Sequence, residues 1–154
     1  MTRKTFGVLT LAMLVISGVV WQFWVGASAP GVRLPYDRSE SIARGAVIYA
    51  DNCASCHGEN LEGEPNWKQP SPEGFMPAPP HDESGHTWHH PDDVLFRLTK
   101  LGTAAVVGQG YESNMPGFSD TLSDKDILDV LGFIKSTWPP EIIEMHNSTN
   151  APAN

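Results

Sequence analysis

Two cysteines and a histidine stand close together at Cys53, Cys56 and His57, with only Ala54 and Ser55 between the thiols. The Cys-x-x-Cys-His spacing is typical of covalent haem attachment, in which both sulfurs form thioethers to the porphyrin vinyl groups. The histidine after the second thiol is then expected to be the proximal ligand of the haem iron. The sequence therefore predicts one covalently bound c-type haem held by Cys53, Cys56 and His57.

Other chemistries of this thiol pair are disfavoured by the rest of the chain. A structural zinc site needs about four nitrogen or sulfur ligands, and the chain has no cysteine beyond the pair. A thioredoxin-like dithiol would follow a hydrophobic strand, whereas residues 43–51 read as a helix that runs directly into Cys53. Because two cysteines cannot form a disulfide framework, a haem is the expected source of additional apolar core.

A haem iron held by one histidine needs a sixth ligand, unless the site stays open for gases or peroxide. Methionine is expected for electron transfer, and the candidates after the attachment motif are Met76, Met115 and Met145. Met115 precedes Pro116 in a non-helical turn, and the proline restricts the preceding backbone to extended geometry. Met76 has a similar context but leaves less chain to reach the distal face of the haem. We therefore predict Met115 as the distal iron ligand.

A histidine-rich stretch contains four of the six histidines of the chain, namely His81, His86, His89 and His90. Neutral imidazoles at this density can bind copper or zinc, so a second metal site is one hypothesis. Alternatively, one or two of these side chains bond haem propionates or loop carbonyls while the others are solvated. A third hypothesis is that one of them replaces Met115 as the axial ligand under some condition.

The N-terminal 29 residues read as a membrane-directed segment. Arg3 and Lys4 precede a run of about twenty mostly apolar residues, which is long enough to cross a bilayer as a helix. The basic pair places the N-terminus inside, so the domain would face the periplasm. Ala27-Ser28-Ala29 resembles a cleavage site, although a proline follows it. We favour an uncleaved transmembrane anchor, with a soluble periplasmic protein after signal cleavage as the alternative.

Composition and the positions of proline and glycine divide the remainder of the chain into three parts. Residues 30–38 read as a polar linker that contains Pro35 and is too short to pack as an element. Residues 39–140 read as the domain. Residues 141–154 show no sustained periodicity of apolar residues and are predicted to be a flexible tail, disordered beyond about Met145.

Within the domain the periodicity predicts helices joined by irregular loops. A first helix capped by Ser39 extends through Tyr49, and another spans Asp92 to Lys100 before a stop at Gly102. The last helix follows a capping box and ends at Trp138-Pro139-Pro140. It carries an apolar face made by Ile127, Val130, Leu131 and Ile134. The Pro-, Gly- and His-rich stretch at residues 58–91 is expected to be a loop folded over the haem edge.

The order of these motifs resembles the monohaem class I c-type cytochromes, in a membrane-anchored bacterial form. The resemblance covers about residues 39–138 and rests on Gly45, Tyr49, Cys53-Ala54-Ser55-Cys56-His57-Gly58, Asn114-Met115-Pro116-Gly117-Phe118, Leu122-Ser123-Asp124-Lys125-Asp126-Ile127 and Phe133-Ile134-Lys135-Ser136. It implies an all-α fold in which the first and last helices cross near Gly45 and Phe133. It also implies His/Met ligation and one-electron transfer at an exposed haem edge.

The charge of the chain bears on its partners. All 18 acidic residues follow the apolar segment, together with eight of the ten basic residues, so the exported part carries a formal charge of −10. This charge disfavours nucleic acid and favours redox proteins with a basic docking patch.

The predicted function is an electron carrier in a respiratory-type chain. It is held at the membrane by the N-terminal helix and is not itself an enzyme, although it could be the cytochrome subunit of an oxidoreductase complex. No small-molecule substrate is expected. The alternative is a haem-based ligand or metal sensor that uses an exchangeable sixth ligand or the cluster from His81 to His90.

Overall fold

Six α-helices and one 3-10 turn make up the regular structure of residues 31–150, the part of the chain that the computed structural model describes. In chain order these are α1 (Ser39–Asn52), α2 (Ala54–His57), the 3-10 turn (Thr87–His89), α3 (Asp92–Leu101), α4 (Thr103–Val107), α5 (Asp124–Ser136) and α6 (Pro140–Thr149). No strand lies in this range, which confirms the predicted all-α fold.

The predicted membrane-spanning segment lies outside the described residues. Among residues 31–150, none of the helices combines the length and the apolar character that crossing a bilayer requires.

The centre of the fold is the crossing of α1 and α5. A Cβ atom added to Gly45 of α1 would lie 2.1 Å from the backbone oxygen of Asp129 and 2.8 Å from Cβ of Phe133. Only glycine allows the two backbones to approach this closely. The crossing that the family resemblance implied, near Gly45 and Phe133, is therefore confirmed.

Helix α5 forms as its sequence predicts. Ser123 is the N-cap, its hydroxyl accepts the backbone N–H of Asp126, and the Asp126 carboxylate accepts the backbone N–H of Ser123. This reciprocal capping box satisfies two backbone donors that the first helical turn would leave free. The apolar face of α5 is buried at i, i+3, i+4 and i+7, in the residues Ile127, Val130, Leu131 and Ile134.

A buried carboxylate fixes the register of the same crossing. Asp129 is 1% exposed, and its Oδ2 accepts hydrogen bonds from Arg44 Nε at 2.5 Å and Lys125 Nζ at 2.8 Å. Burial raises the pKa of Asp129, but the bonds from Arg44, Lys125 and Ser41 outweigh it and hold the pKa below the usual value. The carboxylate therefore stays ionised and ties α1 to α5.

Two helix boundaries can be compared with their predictions. Helix α3 ends at Leu101 with Gly102 as its C-cap at φ +85°, as the glycine stop predicted. The predicted Ser39 cap is wrong, because the first intrahelical bond of α1 runs from the Ile42 N–H to the carbonyl of Arg38. Arg38 is the N-cap and provides no side-chain cap, while Ser39 is already helical.

The stretch at residues 58–91 is irregular apart from the 3-10 turn, as predicted. Backbone bonds return it to the end of α2, since the Gly63 N–H donates to His57 O at 2.8 Å. The His81 N–H donates to Leu61 O at 2.7 Å and closes the second half of the loop against the first. The loop is thus fastened to the turn that carries the predicted haem ligand.

The predicted linker at residues 30–38 differs from the structure, because part of it is packed. Leu34 is 4% exposed, and its N–H donates to Asp92 Oδ2 at 3.1 Å. Pro35 lies against Gly132 of α5, where an added Cβ would come within 3.1 Å of the Pro35 Cδ. Leu34 therefore belongs to the hydrophobic core, which the polar composition of the segment concealed.

The prediction of a flexible tail after Pro140 is also corrected by the structure, which has α6 there. Pro140 occupies the first turn of α6, a position that proline favours. His146 is fully buried, its Nε2 lies 3.0 Å from the carbonyl of His90, and its ring meets Trp138 edge-on. Tertiary contacts of this kind stabilise a short helix that has little amphipathic pattern of its own.

Candidate functional site

The two thiols and the predicted proximal histidine lie on a single turn of helix. Cys53 ends α1 by donating its N–H to Tyr49 O at 2.9 Å, and the His57 N–H donates to Cys53 O at 2.9 Å. Gly58, at φ +83°, then terminates the turn. Because residues three and four apart share one helix face, Cys53, Cys56 and His57 are presented together.

Neither cysteine forms a disulfide bond. Cys53 is half-buried and Cys56 is exposed. Burial, with a contribution from Cys56, raises the pKa of Cys53 to about 11. Cys53 is therefore protonated at neutral pH, and its S–H is available to add across a vinyl C=C bond.

His57 is held as a neutral imidazole with one free nitrogen. Its Nδ1 lies 2.9 Å from the carbonyl oxygen of Pro79 and donates to it, so that the lone pair is on Nε2. Burial lowers the pKa of His57, while the Pro79 bond and Glu64 act in the opposite direction. A histidine whose other ring nitrogen donates to a backbone carbonyl is the usual arrangement of a metal ligand. The donor set of this turn thus fits a covalently attached haem.

His81 contacts His57 directly, which sequence reasoning did not foresee. The two imidazole rings are stacked, with centroids 3.9 Å apart and planes inclined by 20°. His81 Nδ1 lies 2.8 Å from Thr87 Oγ1. Burial, and to a smaller extent His57 and His86, lower the pKa of His81 well below its usual value. In the sequence, the only hint of this arrangement is that Pro79 and His81, the two residues that contact the His57 ring, lie two positions apart.

The rest of the histidine-rich stretch does not form a common site. His86 packs against the rings of Trp67 and His90, whereas His89 stacks on Trp88. Within residues 31–150 there is no group of three or more His, Cys, Asp or Glu side chains arranged to hold a metal ion. The hypothesis of a second metal site at this stretch is therefore not supported.

Met115 is half-buried on the irregular segment between α4 and α5. Thr103 Oγ1 of α4 donates to its sulfur at 3.3 Å, and the Met115 N–H donates to Ser113 Oγ at 3.1 Å. The chain just beyond it is pinned to the end of α3, where the Phe118 N–H donates to Thr99 O at 3.0 Å. These bonds hold the thioether on a loop that is fastened to α3 and α4.

The two other methionine candidates are more exposed. Met76 is 41% exposed in the loop, and Met145 is 48% exposed on α6. The sulfur of Met115 is distinguished from both by burial and by the Thr103 hydrogen bond.

Comparison with known proteins identifies the family of the chain. The family model for cytochrome c matches residues 42–138, which is more than half of the chain. Cytochrome c6 of Synechocystis sp. is 25% identical over 135 residues, covering 86% of this chain and 87% of that protein.

In two further relatives the matched region is only part of a longer chain. The gluconate 2-dehydrogenase cytochrome c subunit of Pantoea cypripedii is 26% identical over 105 residues, or 66% of this chain. The cbb3-type cytochrome c oxidase subunit FixP of Azorhizobium caulinodans is 29% identical over 94 residues, or 61% of this chain. The matched regions span only 21% and 28% of these two relatives. The family match, the helical fold and the donor set together show that the chain belongs to the cytochrome c family, as a class I c-type electron-transfer protein with a covalently bound haem c.

Proposed function

We propose that the protein is a one-electron carrier whose single haem c is attached through Cys53 and Cys56, with His57 and Met115 as the axial iron ligands. The observation that supports this proposal most strongly is the environment and protonation of the His57 side chain. It is buried and neutral, it donates Nδ1–H to Pro79 O, and it lies on the same helical turn as both thiols. When bound there, haem c supplies an iron that alternates between ferric and ferrous states and so holds one electron.

Each side chain of the site has a separate task in this proposal. Cys53 and Cys56 tether the cofactor, and the bond to Pro79 keeps the Nε2 lone pair of His57 available and orients the ring. The Thr103 hydroxyl holds the sulfur of Met115 on a loop that is pinned to α3. A thioether ligand raises the reduction potential of a haem, which suits a carrier rather than an oxygen-binding site.

We further propose that the domain acts at the periplasmic face of a bacterial membrane in a respiratory-type chain. The support is the apolar segment at the N-terminus, together with relatives that are subunits of a dehydrogenase and an oxidase. The donor and acceptor would be redox proteins, and residues 1–29 would be the anchor. The intact mass of the protein purified from membranes tests the anchor. A mass that includes residues 1–29 supports it, and a chain that starts after residue 29 favours the cleaved, soluble form.

The ligand assignment is tested by the visible spectrum of the haem-loaded Met115→Ala variant, with Met76→Ala as the matched control. We expect Met115→Ala to lose the weak long-wavelength sulfur-to-iron band of the oxidised protein. Its reduction potential should fall by on the order of 0.1 V, since axial ligands tune haem potentials over about 0.8 V. Met76→Ala should keep both properties. Loss of the band in Met76→Ala alone would reassign the ligand, and retention in both variants would contradict methionine ligation by either residue.

A further inference from the structure

The imidazole of His57 is restrained in two independent ways. The bond from Nδ1–H to Pro79 O, at 2.9 Å, fixes one edge of the ring. That bond alone leaves the ring free to rock about the line from Nδ1 to the oxygen. The second restraint is the face of His81, stacked at 3.9 Å with an interplanar angle of 20°. A rocking motion of His57 would drive its edge into this second ring.

His81 is itself anchored from three directions. Its backbone N–H donates to Leu61 O at 2.7 Å, and its carbonyl accepts the indole N–H of Trp138 at 2.7 Å. Its Nδ1 lies 2.8 Å from Thr87 Oγ1, and the residue Thr87 is buried. The two backbone bonds fix the position of the residue, and the ring cannot turn about its own torsions without breaking its bond to Thr87. It is therefore a fixed surface.

Both restraints on His57 come from one short segment. Pro79 supplies the carbonyl and His81 supplies the stacked ring, two residues later. Trp138, two residues after the end of α5, holds that segment in place. The plane of His57 is thus set by the loop and by the last core helix together. The four-histidine stretch contributes one member to this arrangement, while His86, His89 and His90 pack elsewhere.

We propose that His81 is the positioning residue of the proximal ligand: its stacked ring fixes the plane of the His57 imidazole about the bond that Nε2 makes to the iron. The inference rests on the proposed function, in which His57 is that ligand. The orientation of an axial imidazole changes the electronic structure of a low-spin haem, so His81 would influence both the magnetic anisotropy and the reduction potential. Ligand orientation by a neighbouring side chain is a general lever on metal sites.

The test compares three variants of the haem-loaded full chain with the wild type by electron paramagnetic resonance and by redox titration. His81→Leu removes the flat face, and His81→Phe keeps a flat face without the Thr87 bond. His89→Leu is the matched control, because it removes a stacked but exposed histidine that lies on Trp88. Thermal unfolding of each variant is measured in parallel.

We expect His81→Leu to shift the g-values of the oxidised protein and to change its equilibrium with a redox mediator three- to tenfold, where tenfold corresponds to 59 mV for one electron. His81→Phe should keep g-values close to those of the wild type, and His89→Leu should change neither property. If His81→Leu lowers the unfolding temperature but leaves the g-values and the mediator equilibrium unchanged, His81 is only a core residue and the inference is overturned.

Two safeguards keep the outcomes distinct. If His81→Leu does not accumulate with haem, His81→Gln decides, because it removes the aromatic ring while keeping a polar group that can reach Thr87 Oγ1. Altered g-values in His81→Gln support the inference, and unchanged g-values contradict it. Failure of the proposed function is visible earlier, since a wild type without a low-spin, histidine-ligated haem invalidates the ligand assignment before any variant is compared.

Discussion

His146 is a buried imidazole whose pKa is lowered by its surroundings in the folded protein. It is fully buried, its Nε2 lies 3.0 Å from His90 O and 3.4 Å from Asp92 Oδ1, and its Nδ1 has no hydrogen-bond partner in the described structure. Burial lowers the pKa of His146 and Lys135 lowers it further, against the opposing influence of Asp92 and the His90 carbonyl. The folded protein therefore holds this ring neutral.

The pH dependence of stability follows from that shift. Below its ordinary pKa of about 6.5, His146 takes up a proton in the unfolded chain but not in the folded one, so folding is weakened as pH falls from about 7 towards the folded pKa. We predict that the free energy of unfolding in denaturant declines from pH 7.5 to pH 5. The decline should be shallower in His146→Gln, which keeps a donor for His90 O without a titrating ring. Parallel curves for the two proteins would show that His146 does not contribute.

At this scale the sequence predicted the attachment residues but not the residues that support them. Cys53, Cys56 and His57 were predictable because their chemistry is local and lies within five residues. Pro79 and His81 are more than twenty residues away from His57, and their contacts depend on how the loop folds back. No periodicity or spacing specifies a stacking partner across such a loop.

The crossing of α1 and α5 is the element-scale feature on which the fold depends. An alanine at position 45 would place Cβ 2.1 Å from a backbone oxygen, which cannot be relieved by turning a side chain. An alanine at position 132 would place Cβ 3.1 Å from the ring of Pro35 and 3.2 Å from its backbone, so that segment would have to move by only a few tenths of an ångström. The two glycines of this region therefore differ in how much space they require.

We predict that Gly45→Ala destabilises the haem-loaded protein by about 1 to 3 kcal/mol, the usual range for overpacking a close contact. Gly132→Ala, as the matched control, should cost less. Denaturant unfolding of both variants measures the difference. An equal or larger loss in Gly132→Ala would contradict the account of the crossing.

The helices that could be predicted carry signals within their own sequence. Helix α5 has a capping box and a buried face at helical spacing, and α3 has a glycine stop. Helix α6 has neither a side-chain cap nor a strong apolar face. The proline pair before it is as compatible with the end of α5 as with the start of a new helix. Helix α6 is stabilised by contacts of His146 with His90 and Trp138. Such tertiary contacts cannot be recognised from the sequence of the helix itself. The sequence does not predict the five-residue helix α4, because five residues are too few to show a helical repeat of apolar positions.

The charge of the whole domain sets how it meets its partners. Residues 31–150 contain 18 acidic and eight basic residues, a formal charge of −10. Such a charge accelerates the approach of a cation and slows that of an anion, and salt screens both effects over about 10 Å at 0.1 M.

We predict opposite salt dependences for the oxidation of the reduced protein by two small trivalent oxidants. The rate with cationic tris(phenanthroline)cobalt(III) should fall several-fold between low and high ionic strength. The rate with anionic ferricyanide should rise over the same range. Stopped-flow absorbance at the haem bands measures both, and flat or reversed slopes would show that the acidic charge lies away from the site of electron transfer.

The central claim is that this chain is an electron carrier whose haem iron has His57 and Met115 as its two axial ligands. The most direct measurement is the visible spectrum of the purified haem-loaded protein, oxidised and reduced, with and without carbon monoxide. The account predicts a low-spin spectrum, the weak sulfur-to-iron band in the oxidised form, and no response of the reduced form to carbon monoxide. Ready binding of carbon monoxide, or the absence of that band, would contradict it and would favour a sensor with an exchangeable sixth ligand.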